Sequence, residues 1–244
     1  MAHDKCHPTD RSGAGVRFAT RFAVKGWAFA NLITLACFVT HAGVTACSAG
    51  ELRASVLDRL GHGVGDAVVT VAAVGAQPAA AVQATAVMDQ RNLEFLPRVL
   101  VVAVGTSVEF PNNDTVSHQV YSFSGAKRFQ LPLYKGERHP PVVFGQEGLV
   151  VLGCNIHDAM AGYIYVTAAP YFGTTSASGD LELPNLPAGD YRLTVWSPFI
   201  ADPAASLMRT VHVDATDVTA NRVQLTRDLR SRPEPRPRRG DWEY

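Results

Sequence analysis

From about residue 51, apolar and polar positions alternate in short runs punctuated by Gly, Pro, Asn and Asp. LRASVLD (Leu52 to Asp58) alternates, GHGVG (Gly61 to Gly65) reads as a turn, and DAVVTVAAV (Asp66 to Val74) is β-branched and alternating. A period of two puts successive side chains on opposite faces of a sheet, so each run predicts a half-buried strand. An Ala-rich stretch, GAQPAAAVQATA (Gly75 to Ala86), follows. Val99 to Val104 and Ser107 to Phe110 then predict two strands broken at Gly105-Thr106. The cluster Pro111-Asn112-Asn113-Asp114 predicts a loop, because these residues favour turns. HQVYSF (His118 to Phe123), KRFQL (Lys127 to Leu131), PVVF (Pro141 to Phe144), GLVVLGC (Gly148 to Cys154) and GYIYVT (Gly162 to Thr167) predict further strands. A Pro-aromatic-Gly linker leads on to GDLEL, GDYRLTVW, LMRTVHV and RVQL. No amphipathic helix is predicted. Many short strands at turn-punctuated spacing predict an all-β protein, with two sandwiches or barrels.

Composition narrows the classes. With 244 residues, 47% of them hydrophobic, the chain can fill one or two ordinary cores. Its 22 Lys and Arg balance 22 Asp and Glu, so overall charge draws it to no nucleic acid or anionic surface. The start is basic, with Arg11, Arg17, Arg21 and Lys25, and no acid stands between Asp10 and Glu51. Then comes the apolar run WAFANLITLACFVTHAGVTA, Trp27 to Ala46, which ends in small residues. A charged start, apolar middle and small-residue exit are the layout of a secretory signal; a membrane anchor is the alternative. Cleavage after Ala46 or Ala49 fits, and VTAC (Val44 to Cys47) resembles a lipobox, which would put a lipid on Cys47. The expectation is an exported, periplasmic protein with a leader over 1–49. The tail RDLRSRPEPRPRRGDWEY, within 227–244, is rich in Arg and Pro and reads as disordered.

Export changes the cysteine arithmetic. Of Cys6, Cys37, Cys47 and Cys154, only Cys154 lies clear of the leader. A disulfide framework is excluded for lack of partners. A lone thiol in an oxidising compartment is a liability unless it is buried or bound. Its neighbours point to a metal. GCNIHDAM (Gly153 to Met160) sets a thiol, an imidazole and a thioether at three-residue steps, Cys154, His157 and Met160, between two predicted strands. That set selects a soft or borderline metal, and copper fits best. Zinc would more often recruit a second Cys, and no CxxC pair exists. The missing ligand is expected to be a His at another strand end. His118 qualifies, opening HQVYSF after the Asn/Asp loop. His62 lies in a Gly turn of a different segment, His139 in a charged loop expected to be exposed, and His212 on a strand of the last segment expected at the surface.

The runs FLPRVLVVAVGTSVEFPNNDTVSHQVYSF and GLVVLGCNIHDAMAGYIYV resemble the cupredoxins, the small blue-copper electron carriers. The resemblance covers roughly Ala86 to Ala168, and Cys-x-x-His-x-x-Met matches the short ligand loop of amicyanin-like members. It implies a Greek-key β-sandwich and one type 1 copper held by His118, Cys154, His157 and Met160, with Asp158 the competitor for the place of Met160. Position 119 is Gln, where several cupredoxins have Asn, so the bonds tying the ligand loops would come from Asn112, Asn113 or Asn155.

RASVLDRLGHGVGDAVVTV and TTSASGDLELPNLPAGDYRLTVWSPF resemble the two halves of a carboxypeptidase-regulatory-like, Ig-like β-sandwich. On that reading 50–82 and 170–226 are the halves and 83–169 is a cupredoxin domain inserted between them. The alternative gives Leu52 to Val74 to the cupredoxin as edge strands. The arrangement also resembles bacterial proteins named methylamine utilization or plastocyanin-like. The implied function is a one-electron carrier, with a cytochrome, dehydrogenase or oxidase docking near His157. Ile156, Ala159, Met160, Ala161 and Pro132-Leu133 are expected to form the apolar docking patch. Copper storage, delivery or sensing is the alternative, though no Met- or His-rich tract is present. Catalysis is not expected, since neither paired HxH histidines nor G-x-S-x-G occurs.

Overall fold

The computed structural model describes residues 49–76, 84–136, 139–200, 207–215, 217–225 and 229. The expected leader, Cys47 and nearly all of the Arg/Pro tail lie outside them. Among the described residues every regular element is a strand, in agreement with the all-β expectation. β1 (Ala49–Leu57) and β2 (Val68–Ala73) come first. Ten strands follow: β3 (Thr85–Val87), β4 (Asp89–Arg91), β5 (Glu94–Leu96), β6 (Val99–Ala103), β7 (Thr106–Glu109), β8 (Tyr121–Ser124), β9 (Lys127–Gln130), β10 (Val142–Phe144), β11 (Gly148–Gly153) and β12 (Ala161–Thr167). Then come β13 (Tyr171–Thr174), β14 (Asp180–Pro187), β15 (Gly189–Trp196), β16 (Leu207–Val213) and β17 (Val218–Gln224).

Strands from both ends of the described chain share one core. β1 runs antiparallel to β14 and parallel to β17, and the second sheet has the order β13-β2-β15-β16. Alternate residues of β1, Leu52, Ala54 and Val56, meet Val69 and Val71 of β2, Leu193 and Val195 of β15, and Val223 of β17. β2 is buried on both faces over Val68 to Val71, hence its unbroken run of β-branched residues.

The middle of the chain builds another core. The sheets β10-β7-β3 and β6-β12-β11-β8-β9 enclose Phe95, Val108, Phe110, Phe144, Leu152, Ile164 and Val166, together with Cys154 and Met160. Between the two cores lies a third cluster of Val68, Val99 and Trp196, flanked by Tyr163 and Tyr165. β12 turns Ile164 and Val166 inward and Tyr163 and Tyr165 outward, where their ring centroids lie 5.9 and 5.5 Å from that of Trp196.

Three local details differ from the sequence reading. The Pro-aromatic-Gly linker is strand β13, paired to β2. Gly173 pairs with Val69 in that strand and packs against the Leu181 side chain, whose Cδ1 would lie 2.7 Å from a Cβ there. Hairpin β4–β5 was not expected, because each arm has three residues and the first is wholly polar or charged. Its two-residue turn, Asn92-Leu93, has φ of 52° and 63°, the geometry that matches a hairpin's twist. His118 does not open a strand; it makes an isolated antiparallel bridge with Tyr134, three residues before β8.

Trp196 is 4% exposed, so Trp196→Ala is expected to cost about 3 kcal/mol of unfolding free energy, read from denaturant titration. The centre described next should keep its metal in that variant, since Trp196 lies on the far face of the sheet.

Candidate metal centre

The ligand loop is short because both strands it joins are held close. β11 and β12 are paired from Gly148↔Val166 to Gly153↔Ala161. The Tyr121 ring covers Gly153, where a Cβ would lie 2.7 Å from the ring carbon Cζ. The Phe95 ring likewise occupies the place of a Cβ at Gly162. Between the strands the chain makes two consecutive turns. The His157 N–H donates to Cys154 O at 3.4 Å, and the Met160 N–H donates to His157 O at 2.8 Å. Each three-residue step of Cys-x-x-His-x-x-Met is thus one hydrogen-bonded turn.

His118 reaches the same point from another loop. Its N–H donates to Tyr134 O and its carbonyl accepts from the Tyr134 N–H, both at 3.0 Å. Gly153↔Tyr121 pairs β11 with β8, which sets His118 beside Cys154. His118 is fully buried and Cys154 is 3% exposed, while His157 is half-buried.

His118 Nδ1 lies 3.1 Å from His157 Nδ1; Cys154 Sγ lies 3.8 Å from the first and 3.7 Å from the second. Ligand bonds from imidazole and thiolate run about 2.0–2.3 Å, so a single ion can span these three atoms. His118, Cys154 and His157 are the one group of potential ligands that converges in this way among the described residues. Burial, helped by the neighbouring His118, holds the His157 imidazole below its usual range against an upward pull from Asp114. Its neutral form, the one that binds metal, therefore prevails at pH 7. Two imidazoles and a thiolate are the equatorial set copper takes in blue-copper sites.

The structure brings the expected ligands His118, Cys154 and His157 together. Met160 is 2% exposed and shares the hydrophobic cluster of Cys154. That burial corrects the expected docking patch, because a side chain closed off by the core offers no surface. Ala161 is half-buried as the first residue of β12, whereas Ile156, Ala159, Pro132 and Leu133 are exposed. Asp158 is exposed. His62 pairs with Asp58 at 3.2 Å, and His212 with Asp190 at 2.7 Å, both at the surface. His139 is half-buried rather than exposed, its ring 4.4 Å from that of Tyr134, an aromatic contact that draws it inward. Of the three asparagines, Asn112 braces the His118 loop against the Tyr134 segment rather than against the second ligand loop: its Nδ2 donates to Val116 O at 3.0 Å and Tyr134 O at 2.8 Å. Asn113 bonds Asp89 instead, and Asn155 is exposed.

The sequence reading missed Asp114. Its Oδ2 accepts from His118 Nε2 at 2.9 Å and from the Leu93 N–H at 2.8 Å, and its Oδ1 accepts from the Thr115 N–H at 2.6 Å. Burial pushes this carboxyl up, but the hydrogen bonds from the Leu93 N–H, His118 and the Thr115 N–H outweigh it and bring the pKa down to about 2. A carboxylate on the outer nitrogen of a ligand His fixes its tautomer and orientation. The one clue in the sequence is the four-residue step from Asp114 to His118.

No family model matches this chain, and no curated protein does. It is similar to several solved structures of copper proteins. One is a purple cupredoxin from Nitrosopumilus maritimus, at 27% identity over 35% of this chain and 100% of that one, TM-score 0.30. Another is a copper-containing nitrite reductase from Thermus scotoductus, at 32% identity over 38% of this chain, TM-score 0.31; the likeness spans only 24% of the reductase. A third is a reduced amicyanin variant, at 23% identity over 40% of this chain and 98% of that one, TM-score 0.31.

Cys154→Ser and His118→Ala should each weaken binding of one Cu(II) ion, measured by competition titration. The loss should exceed the roughly 100-fold that removal of an outer-sphere partner costs.

Proposed function

We propose that this chain is an exported, periplasmic copper protein that carries single electrons between redox partners. The observation that carries the reading is the triangle of His118 Nδ1, Cys154 Sγ and His157 Nδ1, with edges of 3.1 to 3.8 Å. Copper bound there would supply a centre that alternates between Cu(II) and Cu(I).

The chain's own part is to hold those donors still. Cys154 is fixed at the end of β11, His157 between two closed turns, and His118 by its bridge to Tyr134. Donors so constrained have little room to rearrange when the charge they enclose changes by one. Burial of His118 and Cys154 excludes water, and half-exposed His157 offers the route for an electron. The thioether of Met160, buried and one turn past His157, would be the fourth donor. Val116, Leu133 and Ile156 are 36%, 55% and 50% exposed. Each lies within two residues of His118, Tyr134 or His157, and together they support an apolar docking surface for a redox protein around His157.

The first test is the visible spectrum of the chain from about residue 50, loaded with Cu(II). An intense thiolate-to-copper charge-transfer band is expected. Stoichiometric binding without colour would favour copper handling, and no binding would end the reading. Met160→Leu should keep the band and raise the reduction potential; if both stayed put, Met160 would not be a ligand. Ile156→Glu should slow electron exchange with a c-type cytochrome in stopped-flow mixing while leaving spectrum and potential in place.

A further inference from the structure

The second anion at this centre is Asp114. Its side chain is 3% exposed and that of His118 is 0% exposed, so the contact between them is shielded from solvent. The carboxylate cannot swing away. Leu93 and Thr115 N–H groups hold its two oxygens, and its own N–H donates to Asn112 Oδ1 at 3.0 Å. The Leu93 donor comes from the turn of hairpin β4–β5, where φ of 63° is a conformation leucine rarely adopts. An ionised carboxylate only accepts hydrogen bonds, so His118 Nε2 carries the proton and Nδ1 keeps its lone pair for a metal.

Charge then decides a preference. The thiolate of Cys154 and the carboxylate of Asp114 each bring one negative charge, and the two neutral imidazoles bring none. Around a doubly charged ion the buried site is neutral; after one electron arrives it carries a net negative charge. In a poorly solvated interior the neutral arrangement is favoured. The hydrogen bond also makes the imidazole more basic, which suits the more Lewis-acidic Cu(II).

We infer that Asp114 sets the redox poise of the centre: its carboxylate, bound to His118, biases a bound copper toward the oxidised state. The inference rests on the copper reading above and adds the direction in which this chain tunes it. The electron that would reduce a bound copper would come from an external one-electron donor.

The experiment is a redox titration of the copper-loaded full chain. Asp114→Asn keeps the shape and a hydrogen-bond acceptor but removes the charge. Its preference for Cu(II) over Cu(I) should fall at least about tenfold, a rise in midpoint of about 59 mV for one electron. The visible band should persist. Asp114→Glu, which keeps the charge, should stay far closer to wild type. An Asp114→Asn midpoint equal to wild type with the band intact overturns the inference. A second readout needs neither copper nor a variant: nitrogen NMR of the metal-free protein should find the His118 proton on Nε2, and a proton on Nδ1 overturns the inference even if Asp114→Asn does not fold. A wild-type chain that shows no band with Cu(II) would sink the electron-carrier reading, and the inference with it.

Discussion

The site depends on one register. Gly153 of β11 sits opposite Tyr121 of β8, and that pairing decides whether two loops far apart in sequence end at the same point. Side chains along a strand alternate faces, so a slip of one residue would turn Cys154 away from the core and away from His118. Several features pin the register. Tyr121 fills the space a side chain at position 153 would need, Phe95 does the same at Gly162, and the His118–Tyr134 bridge holds the other loop at both its N–H and its carbonyl. The glycines beside the ligand loop are thus places where a ring must pass.

Much of this was legible in the sequence because it is local. The three-residue steps of Cys154, His157 and Met160 correspond to two hydrogen-bonded turns, and a turn is a short-range object. The strands that were expected are those with clean alternation and β-branched residues, such as GDYRLTVW, which is β15 to the residue. What stayed hidden depends on distant partners. Asp114 belongs to a Pro-Asn-Asn-Asp cluster that reads as ordinary turn chemistry. Its importance comes from burial against the turn of β4–β5, a hairpin too short and too charged to show itself. Met160 and His139 were misplaced on the surface for the same reason, since exposure is set by what packs across from a residue.

The two cores are joined by a small cluster of aliphatic and aromatic side chains rather than by a shared strand. Tyr163 and Tyr165 leave the face of β12 opposite the metal and meet Trp196 on β15. The strand that follows the ligand loop therefore works on both faces, closing the metal-bearing core with Ile164 and Val166 and meeting Trp196 with its tyrosines.

The parallel pairing of β1 with β17 has a consequence for how the chain acquires its structure. Every strand from β3 to β12 finds its partners within the continuous stretch 85–167. β1 has no such luck: Ser55 pairs with Asp180 on one side and with Arg222 on the other. As the chain emerges from its N-terminal end, the earliest strands are therefore among the last to be satisfied. Contacts between residues so far apart carry a large loop-closure cost and are slow to form, and an edge left open in the meantime invites pairing with a neighbouring molecule. The vulnerable moment in the life of this protein falls before β17 arrives, when the metal-bearing half already has every strand it needs.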